Sequence, residues 1–274
     1  MRPAMAIVLA LLPAGAGACA AETAAAPATP AVVRVQPAFD ARRARPDRGL
    51  RVTAEGGRLT KVLAYVEGQR VRGRFDAART TWRSDWTLKP GAEYTVTATA
   101  ATATGPVTVA SGRFRTRPAS RPLRVAAVAP LPGETVGVGM PIVVDFDAPV
   151  RYRAAVERAL EVRSAGPVEG AWRWVGDTRV VYRTRTFWQP RQQVTFTAHL
   201  AGVRAAPGVY GADDMTLAFT VGRARIDAKS LRGDPVTITA TGREYTDDNG
   251  WGFWRLPWDE WRSGSALDGS SPVP

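Results

Sequence analysis

The side chains able to do covalent chemistry are few and scattered. The chain holds one cysteine, Cys19, and one histidine, His199. A thiolate nucleophile needs a base within hydrogen-bond reach, and nothing in the sequence brings the two together. His199 lies in an alternating run and reads as a surface or half-buried residue rather than a general base. Asp213-Asp214 and Asp247-Asp248-Asn249-Gly250 have the chemistry of hard-cation ligands, but each lacks the ligand number and the closing Glu of a calcium loop. Both read as turns, and no metal or cofactor is expected. Trp251, Trp254, Trp258 and Trp261 form the one dense aromatic cluster. Indoles so grouped could stack on sugar rings or form the sticky face of a short helix, or they could belong to an irregular segment that folds loosely back on a neighbouring module or is disordered. No catalytic residue is assigned.

The N-terminus gives Cys19 a different role. Arg2 precedes the apolar run Ala6 to Leu12, and small residues follow through Ala20, the order of a secretory signal. The run is too short for a stable bilayer span. Ala16-Gly17-Ala18-Cys19 is similar to a bacterial lipobox, although Ala16 stands where Leu is usual. Ala18-Cys19-Ala20 also fits simple signal cleavage after Ala20. Lipidation at Cys19 is the favoured reading, since a lone thiol has little other reason to lie there. With no second cysteine, the modules beyond must be stabilised by packing alone. Residues 21–37, rich in Ala, Thr and Pro, read as a flexible tether.

Two stretches then carry strand signatures. Residues 38–118 show short alternating runs, among them Leu59 to Val66, Tyr94 to Ala100 and Val107 to Ala110, broken by Glu67-Gly68 and Lys89-Pro90-Gly91. Residues 122–223 repeat the pattern in Ile142 to Phe146, Arg179 to Arg183, Val194 to Leu200 and Leu217 to Val221, after a spacer from Arg117 to Pro122. Helical spacing of Tyr152, Ala155, Val156, Ala159 and Leu160 predicts one short helix over Arg151 to Leu160. Pro90, Thr95, Thr97 and Ala98 recur as Pro190, Thr195, Thr197 and Ala198, which marks a tandem repeat. The expected fold is therefore all-β: two immunoglobulin-like sandwiches in tandem, one short helix in the second, and an irregular Trp-rich tail over 224–274.

The formal charge is +12. Six Arg/Lys against eight Asp/Glu in 224–274 leave −2 there and +14 on the rest. Such a field favours anionic polymers or membrane surfaces, yet the arginines are spread out (Arg51, Arg83 and Arg153 among them) and no nucleic-acid motif is present. A general basic surface is the plainer reading, and nucleic acid is not expected as a partner.

Several pieces of the second stretch go further: Thr135 to Pro141 (TVGVGMP), Ala148 to Val150, Val168 to Trp174 (VEGAWRW), Phe187 to Pro190, Gly208 to Gly211, and Phe219 to Arg223. Their order and spacing resemble the immunoglobulin-like domain directly before the catalytic domain in L,D-transpeptidases of high-GC Gram-positive bacteria. Residues 38–118 are similar, more weakly, to the membrane-side immunoglobulin domain of the same enzymes. Most of these residues read as structural. Trp172 and Trp174 are expected on opposite sides of a strand with one in the core, and Tyr210 as a corner residue. The resemblance implies that catalysis, in the family, sits in a following domain with a Ser-His-Gly-Cys-type motif, which this sequence does not contain.

Three functional expectations follow. One is a noncatalytic, lipid-anchored envelope stalk at peptidoglycan. Another is the truncated product of a gene whose intact form cross-links peptidoglycan. The last is a binding protein for anionic wall polymers or glycans. Peptidoglycan or anionic wall polymers are the expected partners, with membrane attachment through the lipid.

Overall fold

The computed structural model describes residues 29–223 apart from 104 and 106, together with 238–240, 243–245 and 257–263. Cys19, Trp251, Trp254 and the Asp247-Asp248 turn lie outside the described residues.

The first sandwich is built from β1 (Val32–Gln36), β2 (Arg51–Glu55), β3 (Arg58–Val66), β4 (Gln69–Arg70), β5 (Gly73–Phe75), β6 (Thr81–Ser84), β7 (Glu93–Ala101) and β8 (Val107–Arg115). One sheet has the order β1-β2-β6-β5 and the other β4-β3-β7-β8, all antiparallel. Period-two alternation sends Tyr94, Val96, Ala98 and Ala100 of β7 inward, where they meet Leu59, Val62 and Ala64 of β3 and Val52 and Trp82 of the facing sheet. The module starts earlier than expected. Val32 to Gln36, assigned to the tether, pair with β2 in continuous register and bury Val35. Alternating valines within VVRVQ had a ready edge to join, and pairing outweighed the Ala/Pro-rich surroundings.

The second sandwich comprises β9 (Arg121–Leu123), β10 (Val125–Ala129), β11 (Thr135–Val136), β12 (Ile142–Phe146), α1 (Arg153–Glu157), β13 (Leu160–Ser164), β14 (Gly170–Val175), β15 (Arg179–Thr184), β16 (Gln193–Ala198), β17 (Arg204–Ala206), β18 (Val209–Gly211) and β19 (Met215–Val221). Sheet β10-β12-β15-β14 faces sheet β11-β19-β16-β13, and a small third sheet runs β17-β18-β9. The core includes Ile142, Val144, Phe146, Val180, Phe196 and Phe219. Trp188 is buried there, its Nε1 donating to the Met140 carbonyl at 2.7 Å. The all-β, two-sandwich expectation holds.

Two local expectations need correction. Helix α1 is five residues long, because Ala159 accepts from the His199 amide and Leu160 pairs with Ala198. Strand pairing thus ends the helix. Trp172 and Trp174 point the same way, both toward the core, since residues two apart on a strand share a face. Trp174 is buried and its Nε1 donates to Glu157 Oε1 at 2.5 Å.

The tandem repeat is structural. Strands β7 and β16 each occupy an inner position of a sheet, and each follows a turn residue of positive φ at the same offset, Gly91 (φ 70) and Arg191 (φ 65). Their amides donate to the carbonyls of Arg117 and Val221, which close the two modules in parallel ways. Leu88 and Trp188, both buried, stand at matching positions just before.

Beyond β19, strands β20 (Ile238–Ala240) and β21 (Arg243–Tyr245) form a hairpin ladder, and helix α2 spans Trp258–Ser263. The tail is thus irregular only in part.

Candidate functional site

Two places gather side chains in ways the linear sequence does not announce: the outer face of sheet β10-β12-β15-β14, and the junction between the modules.

On the outer face, β15 is buried along Val180 to Thr184, unusual for a strand of an antiparallel sheet with one face toward water. Helix α2 explains it. Trp261 is fully buried against Val181, and its Nε1 donates to the Ala171 carbonyl at 3.1 Å. Trp258, three residues before and on the same helical face, packs half-buried beside it. Arg173 donates to the Glu260 carbonyl at 2.9 Å, and the guanidinium groups of Arg173 and Arg183 lie 5.6 and 5.5 Å from the Trp261 ring. Burial lowers the pKa of both arginines from the ordinary value. Trp261 is therefore spent on the sheet and has no ring face to offer a sugar, a correction to its expected stacking role.

The junction is built from the end of β6, the turn before β7, and the β16 to β18 region. Trp86 and His199 stack with centroids 3.7 Å apart and planes 11° from parallel. His199 also bonds Glu161 at 3.2 Å. Burial alone would raise the Glu161 carboxyl, but Arg163 and His199 outweigh it and hold it below its usual range. His199 is thus half-buried, as expected. Thr87 Oγ1 donates to the Ala201 carbonyl at 2.6 Å. Gly202, at φ +79, lies so close to the Leu88 carbonyl that an added Cβ would overlap it and would also come within 3.0 Å of Pro46 Cβ. The residues read as turns serve here too: Asp214 accepts from the Ala201 amide at 2.8 Å, and Asp213 pairs with Lys89 at 3.6 Å and Arg124 at 3.5 Å. Arg117 of the spacer bonds the buried Tyr210 hydroxyl, and β9 pairs in parallel with β18. The spacer is therefore zipped to the second module.

Beside this contact opens a cleft of ≈ 930 Å³ with one wall from each module. Arg48, Arg51 and Arg83 line the first wall, and Arg151, Arg153, Arg158 and Arg204 the second. Along the sequence these arginines are dispersed. Only the fold, by apposing the segment after β1 with α1 and β17, makes them neighbours, and no spacing rule would have revealed it.

This architecture is that of a two-module bacterial immunoglobulin-like protein, and the chain belongs to the bacterial Ig domain family, whose model matches residues 41–204. Its relatives include L,D-transpeptidases of Mycobacterium tuberculosis. L,D-transpeptidase 5 is 33% identical over 169 residues, 60% of this chain and 37% of that protein. L,D-transpeptidase 2 is 32% identical over 199 residues, 72% of this chain and 48% of that protein. The chain thus spans about half or less of the length of these relatives. A crystal structure of an L,D-transpeptidase from Mycobacterium tuberculosis H37Rv aligns over 44% of this chain and 49% of that one, at 25% identity and TM-score 0.28. The resemblance carried by TVGVGMP, VEGAWRW and their neighbours is borne out: the bacterial Ig domain match and the similarity to part of the mycobacterial L,D-transpeptidases fit an Ig-like region of that family.

Proposed function

We propose that the described modules act as a noncatalytic, envelope-facing stalk, anchored through a lipid on Cys19 and holding its second module at a set angle near peptidoglycan. The observation that carries this reading is the junction. Gly202 on the Leu88 carbonyl, Trp86 on His199 and the zipped spacer leave little room for independent rotation, whereas flexibly linked domains share few contacts. The names of the relatives support an envelope setting, since they are transpeptidases. No helix among the described residues is long and apolar enough to cross a membrane. The noncatalytic part rests on composition: the sequence has a single cysteine, assigned here to the anchor, and a single histidine, engaged by Trp86 and Glu161. Thioester chemistry needs an activated thiolate.

A second reading is favoured by those same names: the modules would position a transpeptidase domain belonging to the intact gene product. Two measurements test the first reading. Cys19→Ala, or inhibition of lipoprotein processing, should move the protein from the membrane to the soluble fraction, and an unchanged fraction would refute the anchor. Intact mass after incubation with a carbapenem should show no adduct, and a covalent adduct would refute the noncatalytic reading.

A further inference from the structure

The geometry points to the inter-module cleft as a binding site for a linear phosphate polymer. Six of its seven arginines, Arg48, Arg51, Arg83, Arg151, Arg158 and Arg204, form no ion pair among the described residues, and the seventh, Arg153, pairs with Asp177 at 2.8 Å. The two carboxylates on the lining are already committed: Asp47 to Arg45 at 2.6 Å and Asp85 to Arg74 at 2.8 Å. Burial raises the Asp47 carboxyl, but Arg45, by hydrogen bond and charge, and then Arg204 more than offset it, so Asp47 stays an anion and its pKa lies below the usual value. Nε of Arg204 is buried without a hydrogen-bond partner while its guanidinium lies 5.1 Å from the Tyr152 ring, on the cleft wall. The cleft therefore gathers positive charge with too few internal counter-charges, in a concave setting that concentrates the field.

Shape and side-chain type narrow the ligand. A second hollow of ≈ 620 Å³ shares Arg48, Gly49 and Arg51 with the cleft and adds Arg43 and Arg45. The two hollows adjoin at Arg48, Gly49 and Arg51, so guanidinium groups line more of this basic groove than a single small anion covers. No lysine lines either hollow; the cations are guanidinium forks, suited to oxyanions with two oxygens presented together. The forks come from both walls. An internal phosphate of a linear chain keeps two unbridged oxygens on a tetrahedral centre, one to each side of the chain, so forks from both walls can reach it, whereas a side-chain carboxylate presents its two oxygens together at one end. A phosphate chain, with charges repeated along its length, fits the groove better than an acidic peptide. That such a chain would be a polyol phosphate of the wall rests on the envelope reading above; the site itself does not.

The test uses the mature protein and short-chain inorganic polyphosphate as the probe, with affinity measured by calorimetry. Arg51 and Arg158 are exposed and lie on opposite walls, so Arg51→Glu/Arg158→Glu should fold, with near-UV circular dichroism as the check. Lys61→Glu/Arg70→Glu makes the same change of net charge on exposed positions of β3 and β4, away from the groove. The cleft variant should lose at least about tenfold in affinity and the control less than about threefold. Polyglutamate of matched charge should bind at least about tenfold more weakly than polyphosphate. Equal losses in the two variants would mean a diffuse field and overturn the site. Equal binding of polyglutamate would overturn the phosphate assignment, and tighter binding to single-stranded DNA or to anionic vesicles would reassign the groove. Because this assay uses no cells, failure of the anchor experiment leaves its result standing, and the converse also holds.

Discussion

Replacing Gly202 by alanine should loosen the junction, by an amount that can be worked out in parts. Gly202 has φ +79, a left-handed conformation that costs an L-residue about 1–2 kcal/mol. A Cβ there would also overlap the Leu88 carbonyl, so the two backbones must part by about an ångström to restore ordinary contact. That movement takes the bond from Thr87 to Ala201, now 2.6 Å, past hydrogen-bonding range, at about 0.5–1.5 kcal/mol. It also weakens the Trp86–His199 stack, of a kind worth about 0.5–1.5 kcal/mol between aromatic rings. The sum is about 2–5 kcal/mol. Gly68 supplies the control: φ is +78, and an added Cβ meets nothing within 4 Å. Gly68→Ala should therefore cost only the conformational part, about 1–2 kcal/mol. Urea unfolding would measure both variants, and small-angle scattering would follow the angle between modules. Gly202→Ala should broaden the distance distribution while Gly68→Ala leaves it unchanged. If the two variants lose equal stability and neither alters the scattering, the junction is not the constraint described.

Trp261→Ala should release α2 from the sheet, with a loss of about 3 kcal/mol set by the cavity and the abandoned indole bond. Hydrogen exchange along Arg179–Thr184 would report it, and unaltered protection would refute the docking. At alkaline pH, Tyr94 and Tyr182 should ionise late, since burial pushes each from 10.0 up to about 12. Their folded-state values exceed the unfolded one, so the stability tied to the neutral phenols is complete below pH 10 and is lost as pH rises toward 12, about 2.7 kcal/mol for each residue. Phenolate absorbance of the folded protein rising for all tyrosines near pH 10 would contradict this.

The strands were legible wherever one face meets a core and the other meets water, because that arrangement writes a period of two into the sequence. β3, β7 and β19 are examples. The repeat was legible for a related reason: Pro90 and Pro190 open turns whose geometry the following strand depends on. What escaped were features set by contacts distant in the chain. Strand β15 carries Arg183 on its outer face, which reads as solvent-facing until α2 covers it. Val32 to Gln36 sit in linker-like composition and become a strand only because β2 offers an edge. The cleft arginines are individually ordinary surface residues, and their grouping exists only once two sandwiches meet.

The junction also bears on how such proteins are inherited. Modules joined by free linkers can be shuffled, duplicated or replaced singly, since each carries its surface with it. Here the partner of Trp86 is His199, the space above Leu88 is kept clear by a glycine in the other sandwich, and the groove has a wall from each. Exchange of either half alone would leave a folded sandwich with a mismatched end and half a groove. The stretch matched by the family model begins inside the first sandwich and ends inside the second. Selection would thus act on the pair as one cassette, and substitutions at 86–89 should be tolerated only alongside compensating changes at 199–214.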